Sequence, residues 1–511
     1  MPSTISLQGS REKATSSVDN PGGIGISEFL GAKNFLITGG TGFLAKVLIE
    51  KILRMNPDVG KIYVVIKARD TAAAMERLQK EVVGTELFKC LQQIHGTDYN
   101  SFVERKLVPV VGDISSTNLG IVPELANEIA EQVDVIVNSA GNTNFHERYD
   151  VAMDINTLGA FRIMSFAHNF RRFKLFLHVS TAYVNGEKQG VVLEKPFCLG
   201  DTISNEPGSS HTSKYKTALL DIENEIKLAF NSRRHSDDSQ FHKEMKDLGL
   251  QRAKLYGWQD TYVFTKAMGE MVINSIRREI PVVVIRPSII ESTMKEPFPG
   301  WIQGSRMVDP VVLGYGKGLI RSFLGDPDCI LDVIPVDMVV NTMLATIAKH
   351  ATQDLAAGMH VYHVASSTVN PLTLGDTFMY INQHFTQLPL IDKAGNPIVV
   401  QPIQLLESME QFQNALLQSS GSAASSEQAR ESRAIKQIIN LGRIYEPYTF
   451  YGGRFDTTNT DALHAEMSPE ERAMFQFDAR CVDWMDYFCN KHIPGLKKHV
   501  LKVGFRNPTG P

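Results

Sequence analysis

The chain has 511 residues, of which 43% are hydrophobic and 21% are charged, and its formal net charge is −4. A chain of this length can bury a substantial core, which predicts two or three domains. Nucleic-acid binding relies on an excess of basic residues. The charge balance therefore argues against nucleic acid as a partner.

Neither the apolar runs nor the N-terminal segment predicts a membrane span or a secretory signal. The longest apolar candidate, residues 281–290, is interrupted by Arg286 and Pro287 and is too short to cross a bilayer. Residues 1–30 are rich in Ser, Thr and Gly and lack the apolar stretch of a secretory signal. We interpret them as an N-terminal extension, either a flexible tail or a short transit-like segment.

The cysteines indicate a reducing environment. They form no CxxC pair, and the histidines show no metal-ligand spacing. Free thiols, an intracellular compartment and no structural zinc are therefore expected. The cysteines are Cys90, Cys198, Cys329, Cys481 and Cys489.

Residues 33–50, KNFLITGGTGFLAKVLIE, predict a strand over 34–38, a tight turn and an amphipathic helix. Gly39 permits the sharp turn, Gly42 lets the backbone approach a pyrophosphate, and Ala45 lets the helix pack closely on the strand. Free N–H groups and the helix dipole favour a phosphate at the helix N-terminus. The pattern predicts a Rossmann domain with a nucleotide cofactor; the alternative is that the glycines only shape a turn.

A second strand, at residues 62–66, ends in Lys67, Ala68, Arg69 and Asp70. A site selective for NAD usually ends this strand in a carboxylate that binds the ribose 2′-hydroxyl. Here the first charged side chains are basic. They suit a 2′-phosphate and favour NADPH, unless this is an ordinary basic strand end. We expect Asp70 to face solvent or to cap a helix that begins at Thr71.

Strand and helix signals continue to alternate, with strands at residues 107–111, 133–137, 175–179 and 282–285 and helices at 122–132, 152–171 and 262–278. This order predicts an α/β fold with a doubly wound parallel sheet. Asp113 follows the third strand, and Asn138, Ser139 and Ala140 follow the fourth, where such folds contact adenine and ribose. Each of these residues could equally be a turn residue or a cap.

Changes of composition divide the chain further. Residues 199–256 are polar and interrupt the sheet pattern, so we expect an insertion with helices near 216–230 and 240–248. The run QSSGSAASSE predicts a flexible linker near 418–430, followed by helices over 434–441 and 469–488. The predicted organisation is an extension at 1–30, a nucleotide-binding domain at 31–370 and a smaller, mainly helical domain at 371–511.

The pattern Tyr-x-x-x-Lys occurs three times, as Tyr63/Lys67, Tyr262/Lys266 and Tyr487/Lys491. The first pair lies on a strand, where four residues span roughly 13 Å and the side chains cannot cooperate. The third pair lies in the C-terminal region, far in sequence from the cofactor turn. The second pair opens a helix, where the i,i+4 spacing puts both side chains on one face.

This second pair suits proton transfer. A phenol has an unperturbed pKa of about 10, and a nearby ammonium favours the phenolate. Tyr262 with Lys266 would therefore serve as a tuned acid and as an anchor for ribose hydroxyls. Ser180 and Thr181, which follow the strand at 175–179, offer a hydroxyl partner, although both are also common strand-end residues.

Four segments together resemble the extended short-chain dehydrogenase/reductases: TGGTGFLA, VSTAYVNG at 179–186, GWQDTYVFTKAMGE at 257–270 and IRPSIIES at 285–292. More narrowly, they are similar to the alcohol-forming fatty acyl reductases. The segments YEPYTFYGGRFDTTNT and FDARCVDWMDYFCNKHIPGL resemble the C-terminal male sterility domain of that family. The likeness is closest to the plant male-sterility group, which acts in pollen-wall lipid synthesis.

The resemblance implies two successive NADPH-dependent reductions, from acyl thioester to aldehyde and from aldehyde to primary alcohol. Tyr262 would protonate the developing alkoxide, and Lys266 would lower the tyrosine pKa and bind the nicotinamide ribose. Thr181, five residues before Gly186, matches the family's hydroxyl position and is favoured over Ser180 as the second donor to the carbonyl oxygen. Two such donors form an oxyanion-type arrangement.

The residues expected to bind the cofactor follow the strand ends. They are Thr38, Gly39, Thr41, Gly42, Phe43 and Leu44 at the glycine turn, then Lys67, Arg69, Asp113, Ile114, Asn138, Ser139 and Ala140, and finally Pro287, Ser288 and Ile289 beside the nicotinamide.

Two other functions are open from the residues. One is a two-electron reductase of aldehydes, ketones or nucleotide sugars; the C-terminal domain with its aromatic residues argues against it. The other is a cofactor-sensing scaffold without turnover, against which the intact set of Tyr262, Lys266 and Thr181 argues.

The acyl carrier and the compartment are open as well. Coenzyme A and acyl carrier protein both present phosphopantetheine, and the acidic carrier protein would bind basic patches. The resemblance implies a plastid location, with the cytoplasm or the cytoplasmic face of the endoplasmic reticulum as the alternative. Peripheral membrane contact through the C-terminal domain is compatible with the sequence. The basic patches are Arg171-Arg172, Arg233-Arg234 and Lys497-Lys498, which are otherwise ordinary surface charges.

Overall fold

The computed structural model describes residues 22–206, 218–231, 238–352, 358–418 and 425–502. Its strands are β1 (Phe35–Thr38), β2 (Ile62–Ile66), β3 (Leu107–Val111), β4 (Val135–Asn138), β5 (Leu175–Val179), β6 (Gly190–Val192), β7 (Val282–Pro287), β8 (Ile289–Glu291), β9 (Ser322–Leu324), β10 (Val333–Pro335), β11 (Met359–Val364), β12 (Gln404–Leu406) and β13 (Gly453–Phe455).

The α-helices are α1 (Ile26–Leu30), α2 (Phe43–Met55), α3 (Thr71–Leu78), α4 (Lys89–His95), α5 (Tyr99–Lys106), α6 (Pro123–Gln132), α7 (Tyr149–Ala152), α8 (Gly159–Ala167), α9 (Ile222–Asn231), α10 (Asp238–Leu255), α11 (Thr261–Ile276), α12 (Asp309–Gly316), α13 (Val336–Thr352), α14 (Leu374–Gln387), α15 (Met409–Gln418), α16 (Ser425–Thr449), α17 (Thr458–Glu466), α18 (Pro469–Met474), α19 (Trp484–Asp486) and α20 (Ile493–Gly495). Further short turns include a 3-10 helix at Ala182–Asn185 and π-helices at Met153–Leu158 and Tyr487–His492.

Seven strands form one sheet in the order β3-β2-β1-β4-β5-β7-β11, and all neighbouring strands are parallel. The chain builds outward from β1 in one direction and then from β4 in the other. The carboxyl ends of β1 and β4 therefore border the crevice in which such folds bind nucleotides. The predicted doubly wound α/β fold is confirmed.

Each sheet face is covered, because successive strand residues enter two different apolar cores. In β1, Phe35 and Ile37 pack in one core and Leu36 in the other. In β2, Val64 packs in the first of these cores and Tyr63 in the second. Strands buried on both faces read as continuous apolar runs, which is why these strands were visible in the sequence.

The strands predicted at 62–66, 107–111 and 175–179 are confirmed residue for residue. Strand β4 begins at Val135 rather than Val133 and extends to Asn138. The residue before it, Asp134, accepts a hydrogen bond from the Asn34 N–H at 2.9 Å and so belongs to the preceding turn.

The helix predicted at 152–171 is one continuous helical segment over 149–167, formed by α7, the π-helix Met153–Leu158 and α8. The single helix predicted at 469–488 is wrong. The segment 469–488 is interrupted after Met474, because the Asp478 and Asp483 side chains cap new turns by accepting from the N–H groups of Arg480 and Asp486.

The insertion contains two helices as predicted, α9 and α10, but the predicted start of the first at residue 216 lies outside the described residues, as do Arg233 and Arg234. Helix α16 begins at Ser425, so the predicted linker is helical from there onward, and residues 419–424 also lie outside the described residues. The domain limits at 31 and 371 stay predictions.

Of the predicted N-terminal extension, residues 1–21 lie outside the described residues, whereas Ile26–Leu30 form α1 and are part of the fold. The Glu471 carboxylate accepts hydrogen bonds from the N–H groups of Ile24, Gly25 and Ile26 at 2.7–2.9 Å. Among the described helices, none combines the length and apolar character that crossing a membrane demands.

A buried ion pair holds helix α11 on the sheet. Arg286 in β7 and Glu270 in α11 are fully buried, with contacts of 3.0 Å (Nε to Oε1) and 2.5 Å (Nη2 to Oε2). The guanidinium also lies 5.0 Å from the centroid of the Phe197 ring. Removing one partner of such a pair leaves a buried charge without compensation.

Replacing Glu270 tests this pair. Glu270→Gln should lower the free energy of unfolding by about 3–5 kcal/mol, because Arg286 then stays buried without its carboxylate. Urea denaturation followed by circular dichroism measures the change. The control is Asp461→Asn, whose Arg480 partner is 48% exposed; its loss should stay below about 1 kcal/mol. Equal losses in both variants would contradict the role given to Glu270.

Candidate active site

The glycine turn between β1 and α2 has the shape of a phosphate cradle. Gly39 has a φ of +69°, and a Cβ at this position would lie 2.9 Å from the Ala140 backbone. The Gly42 N–H donates to the Gly39 carbonyl at 2.8 Å, and Gly42 begins α2 without a side-chain cap. Thr41 lies half-buried within this turn. Glycine lets the turn lie directly against the Ala140 backbone, where a side chain would not fit. The start of α2 is thereby left open to a pyrophosphate.

The two residues after the turn contribute backbone rather than side chains to this cradle. The Phe43 side chain is buried and stacks on Trp301 with ring centroids 5.5 Å apart. The Leu44 side chain is also buried in the core. Their N–H groups belong to the first turn of α2, where an anion is favoured.

The end of β2 is as basic as predicted. Arg69 is 86% exposed and pairs with the adjacent Asp70 at 3.1 Å, and Lys67 reaches Asp113 at 2.7 Å. The Asp70 carboxylate accepts from the Ala73 N–H at 2.8 Å, which confirms that it caps α3. Asp113 thus lies beside the basic strand end, as a residue near the adenosine would. Ile114 follows it and packs against the second core.

A row of buried polar side chains crosses three adjacent strands. Thr38, Asn138 and His178 are direct register partners on β1, β4 and β5. The Thr38 hydroxyl accepts from the Ala140 N–H at 3.2 Å and donates to Asn138 Oδ1 at 2.8 Å. Asn138 Nδ2 then lies 3.1 Å from His178 Nδ1, which must accept. The oxygen and the nitrogen of the Asn138 amide therefore both bind groups of the protein. Ser139 follows Asn138 at the strand end and is half-buried.

Lys266 joins this row from helix α11. Its Nζ donates to the Val179 carbonyl at 2.7 Å and lies 3.3 Å from His178 Nε2. Burial lowers the pKa of Lys266 to about 8, although Glu270 acts in the opposite direction. Burial also lowers the pKa of His178 well below its usual value, and the positive charges of Lys266 and Arg286 add to this. His178 is therefore neutral.

Tyr262 lies on the same helix in an aromatic setting. Its ring is partly buried, 5.8 Å from the Phe145 centroid, and Phe145 in turn stacks on Tyr448 at 5.4 Å. Burial raises the pKa of the Tyr262 phenol, and the Asp260 carboxylate raises it further. The Lys266 ammonium is held at the Val179 carbonyl, and the expectation that it lowers the pKa of the phenol stays a prediction.

The two candidate hydroxyls after β5 differ in their partners. The Thr181 hydroxyl accepts from the Tyr183 N–H at 3.3 Å and donates to the Pro287 carbonyl over a long 3.4 Å. Ser180 Oγ is buried and has no hydrogen-bond partner among the described residues. The same holds for Ser288 Oγ at the end of β7, the strand next to β5. Residues 180–181 and 287–288 thus meet at one edge of the sheet, and Ile289 begins β8 beside them.

Asn156 was not among the predicted site residues. It lies in the π-helix Met153–Leu158, and its amide donates to Thr265 Oγ1 at 3.0 Å and to the Asn142 carbonyl at 3.0 Å. Thr157 beside it donates to the Thr265 carbonyl at 2.9 Å. π-helices occur often at functional sites. The polar pair Asn156-Thr157 inside an apolar helix pattern is the sequence signal that could have located it.

The C-terminal segment forms one wall of the site. The Tyr448 hydroxyl donates to Asp260, whose other oxygen caps α11 by accepting from the Val263 N–H at 2.9 Å. Burial raises the pKa of Asp260 to about 6. Tyr183, in the turn after β5, contacts Tyr448 at 5.1 Å and Phe455 at 5.2 Å between ring centroids.

The other two Tyr-x-x-x-Lys matches do not form comparable pairs. The Tyr63 hydroxyl contacts Glu128 and Gln132 on α6. The Tyr487 hydroxyl donates to the Ser292 carbonyl at 2.7 Å, while Lys491 pairs with Asp486 at 2.7 Å. The prediction that only Tyr262 and Lys266 share a site is consistent with these contacts.

Sheet order, glycine turn and the Tyr262–Lys266 helix beside β5 together define a Rossmann-fold reductase of the extended short-chain dehydrogenase/reductase type. Solved structures agree on the fold. The terminal R domain of the myxalamid biosynthetic pathway matches with a TM-score of 0.58 and 17% identity, covering 91% of this chain and 90% of that one. A nonribosomal peptide synthetase R domain from Mycobacterium tuberculosis matches with a TM-score of 0.55 and 19% identity, covering 92% of each chain.

Family models described as "Male sterility protein" match residues 37–343 and 413–503. "Fatty acyl-CoA reductase 2, chloroplastic" of Arabidopsis thaliana is 51% identical over 497 residues, 94% of this chain and 80% of that protein. "Alcohol-forming fatty acyl-CoA reductase" of Simmondsia chinensis is 40% identical over 496 residues, 93% of this chain and 99% of that protein. The chain therefore belongs to the male sterility protein family, and the resemblance seen in its motifs is confirmed.

The lowered pKa of Lys266 predicts a pH-dependent stability. Between about 8, the folded value, and 10.5, the ordinary value, the unfolded chain binds more protons at this lysine than the folded one. The unfolding free energy of the wild type relative to Lys266→Met should therefore rise by about 3 kcal/mol as the pH increases from about 7 to 10.5.

Urea denaturation of both proteins across this pH range measures the difference. Lys89→Met, at a side chain that is 61% exposed, is the control and should track the wild type. If the difference in unfolding free energy between the wild type and Lys266→Met stays constant with pH, folding does not lower the pKa of Lys266.

Proposed function

We propose that this protein reduces long-chain fatty acyl thioesters to primary alcohols in two NADPH-dependent steps through an aldehyde. The observation that carries the proposal is the composite site, in which Tyr262 and Lys266 lie at the carboxyl edge of the sheet and Tyr448 of the C-terminal segment completes an aromatic wall. The names of the similar proteins, fatty acyl-CoA reductases including an alcohol-forming one, support the same substrate class.

The cofactor that we propose fits the residues present. A bound NADPH would supply the hydride for each reduction. The backbone of the Gly39–Gly42 turn would hold the pyrophosphate, and Lys67 and Arg69 would hold the 2′-phosphate. Ser288, with its buried and unpartnered hydroxyl, is suited to bind near the nicotinamide.

The protein's own residues would act on the carbonyl oxygen. Tyr262 keeps its proton at neutral pH because burial raises its pKa, so it can donate that proton to the developing alkoxide. The Thr181 hydroxyl donates only over a long contact to the Pro287 carbonyl, so its proton can turn to a substrate oxygen as a second donor while the oxygen still accepts from the Tyr183 N–H. Lys266 would hold the ribose hydroxyls from its position at the end of β5.

The proposal also covers the acyl carrier and the cellular compartment. In the described basic patches, Arg171 pairs with Glu131 at 2.9 Å and Lys498 pairs with Glu86 at 2.7 Å. These contacts reduce the free positive charge that these two patches offer to an acidic carrier protein, and the choice between the two carriers is left to the experiment below. The plastid location is supported by the chloroplastic relative, and a role in pollen-wall or surface lipids by the family resemblance.

Counting cofactor against product tests the reaction. With palmitoyl-CoA or a palmitoyl carrier protein, two NADPH should be consumed per alcohol formed. Tyr262→Phe should lower kcat by about 10²–10⁴-fold because the proton donor is lost. Tyr63→Phe, at the strand-bound match of the same motif, should leave kcat unchanged.

Consumption of one NADPH per thioester, with free aldehyde accumulating, would instead indicate a two-electron reductase. Binding of NADPH without turnover of any thioester or aldehyde would indicate a cofactor-sensing scaffold. The carrier whose palmitoyl thioester is reduced faster is the one that the protein uses.

Paired hydroxyl variants distinguish the second donor. Thr181→Val should lower kcat by about 10²–10³-fold, as loss of one oxyanion donor does, with a smaller effect on KM. Ser180→Ala should retain most of the activity, and its fold can be checked by circular dichroism. The reverse result, a severe loss only in Ser180→Ala, would assign the donor to Ser180, whose hydroxyl has no described partner.

A further inference from the structure

Three ionisable side chains from distant parts of the chain meet in the interior. Glu291 ends β8, Asp309 begins α12, and His492 ends the π-helix Tyr487–His492. Their side chains are 1%, 0% and 0% exposed, respectively. None of them belongs to the proposed reductase machinery.

Their ligand atoms converge on one point in the interior. His492 Nε2 lies 3.1 Å from Asp309 Oδ1 and 3.7 Å from Glu291 Oε2, and one atom from each residue lies within 4.8 Å of the others. In the described part of the chain, neither Glu291 oxygen, nor Asp309 Oδ1, nor His492 Nε2 has a hydrogen-bond partner. The histidine nitrogen is near enough to Asp309 but not aligned with it for a hydrogen bond.

A chain of hydrogen bonds sets the tautomer of His492. The Tyr487 hydroxyl donates to the Ser292 carbonyl at 2.7 Å, so its oxygen accepts from the Ser292 hydroxyl at 3.3 Å. Ser292 Oγ therefore accepts from His492 Nδ1–H at 3.1 Å. In the neutral ring this leaves Nε2 as a lone pair, directed toward the two carboxylates.

Nearby charges do not neutralise this cluster. The second oxygen of Asp309 accepts from the Arg306 backbone N–H at 2.8 Å. The Arg306 side chain itself lies exposed. Two buried carboxylates and a nitrogen lone pair are costly together unless a cation or a proton lies between them.

We propose that Glu291, Asp309 and His492 bind a divalent transition-metal ion such as Zn²⁺ or Mn²⁺. Ligands at about 2.0–2.2 Å from one ion are separated by roughly 3.0–3.6 Å in tetrahedral or octahedral geometry; the 3.1 Å spacing lies within this range and the 3.7 Å spacing just beyond it. Two carboxylates and one imidazole form a donor set that these ions accept. The Ser292 hydroxyl, which orients the imidazole, is the kind of outer partner that metal-bound histidines have.

The ion would join two regions of the chain. Glu291 and Asp309 lie within the family match at 37–343, and His492 lies within the match at 413–503. Glu291 is also three residues beyond Ser288, at the edge of the cofactor crevice. A metal here would therefore fix the C-terminal region against the strand that borders the crevice.

Metal analysis of the intact protein tests this proposal. After dialysis against a chelator and removal of any affinity tag, full-length protein should take up about one equivalent of Zn²⁺ or Mn²⁺, and its Tm should rise by several degrees. Glu291→Gln and His492→Asn should lose both the uptake and the rise in Tm. Ser292→Ala, which keeps all three ligands, should bind about 10–100-fold more weakly.

His384→Asn is the matched control, because His384 is similarly buried but, among the described residues, hydrogen-bonds to the Cys489 carbonyl at 2.8 Å and faces no carboxylate; this variant should keep the metal response. Absence of uptake and of any Tm change in the wild type would overturn the proposal and indicate a proton shared within the cluster. Equal uptake by Glu291→Gln and the wild type would overturn it as well, because the metal would then bind elsewhere.

Discussion

Three neighbouring strands end in polar residues that face one another in register, and the candidate site depends on them. Thr38, Asn138 and His178 form one hydrogen-bonded row, and Lys266 attaches helix α11 beside its end by donating to the Val179 carbonyl. Buried polar groups are costly unless all of them find partners, so the row tolerates few other arrangements. It fixes the ends of β1, β4 and β5 relative to the helix that carries Tyr262.

The same helix is held from two further directions. On the sheet side, the buried pair of Arg286 and Glu270 anchors its second half. At its start, Asp260 caps the helix and accepts from the Tyr448 hydroxyl, so the C-terminal segment contributes to the position of Tyr262. Strand β13 also pairs with β6, which follows the turn after β5. The C-terminal region therefore contributes contacts to the candidate site.

The elements that the sequence predicted well are those governed by local rules. Continuous apolar runs located the strands of the sheet, and the glycine turn was recognisable because backbone must replace side chains there. Asp70 was identifiable as a cap because it precedes α3 directly. The Tyr262–Lys266 pair followed from helical spacing once the strand-bound match had been set aside.

What the sequence did not show depends on contacts between distant residues. Asn156, in the π-helix Met153–Leu158, binds Asn142 and Thr265, and helical periodicity does not specify these partners. The direction of the Lys266 ammonium is set by the Val179 carbonyl, 87 residues away. Glu291, Asp309 and His492 have no motif spacing because they come from three separate elements. Such groups become visible only after the chain has folded.

The altered acidity of Tyr262 bears on its part in a carbonyl reduction. Reduction of a carbonyl needs a protonated phenol, and burial together with Asp260 keeps the phenol protonated at neutral pH. A developing alkoxide is far more basic than a phenolate, so proton transfer to it stays downhill even from a weakened acid. The environment of Tyr262 therefore suits a reductase, with the proton in place before the carbonyl oxygen needs it.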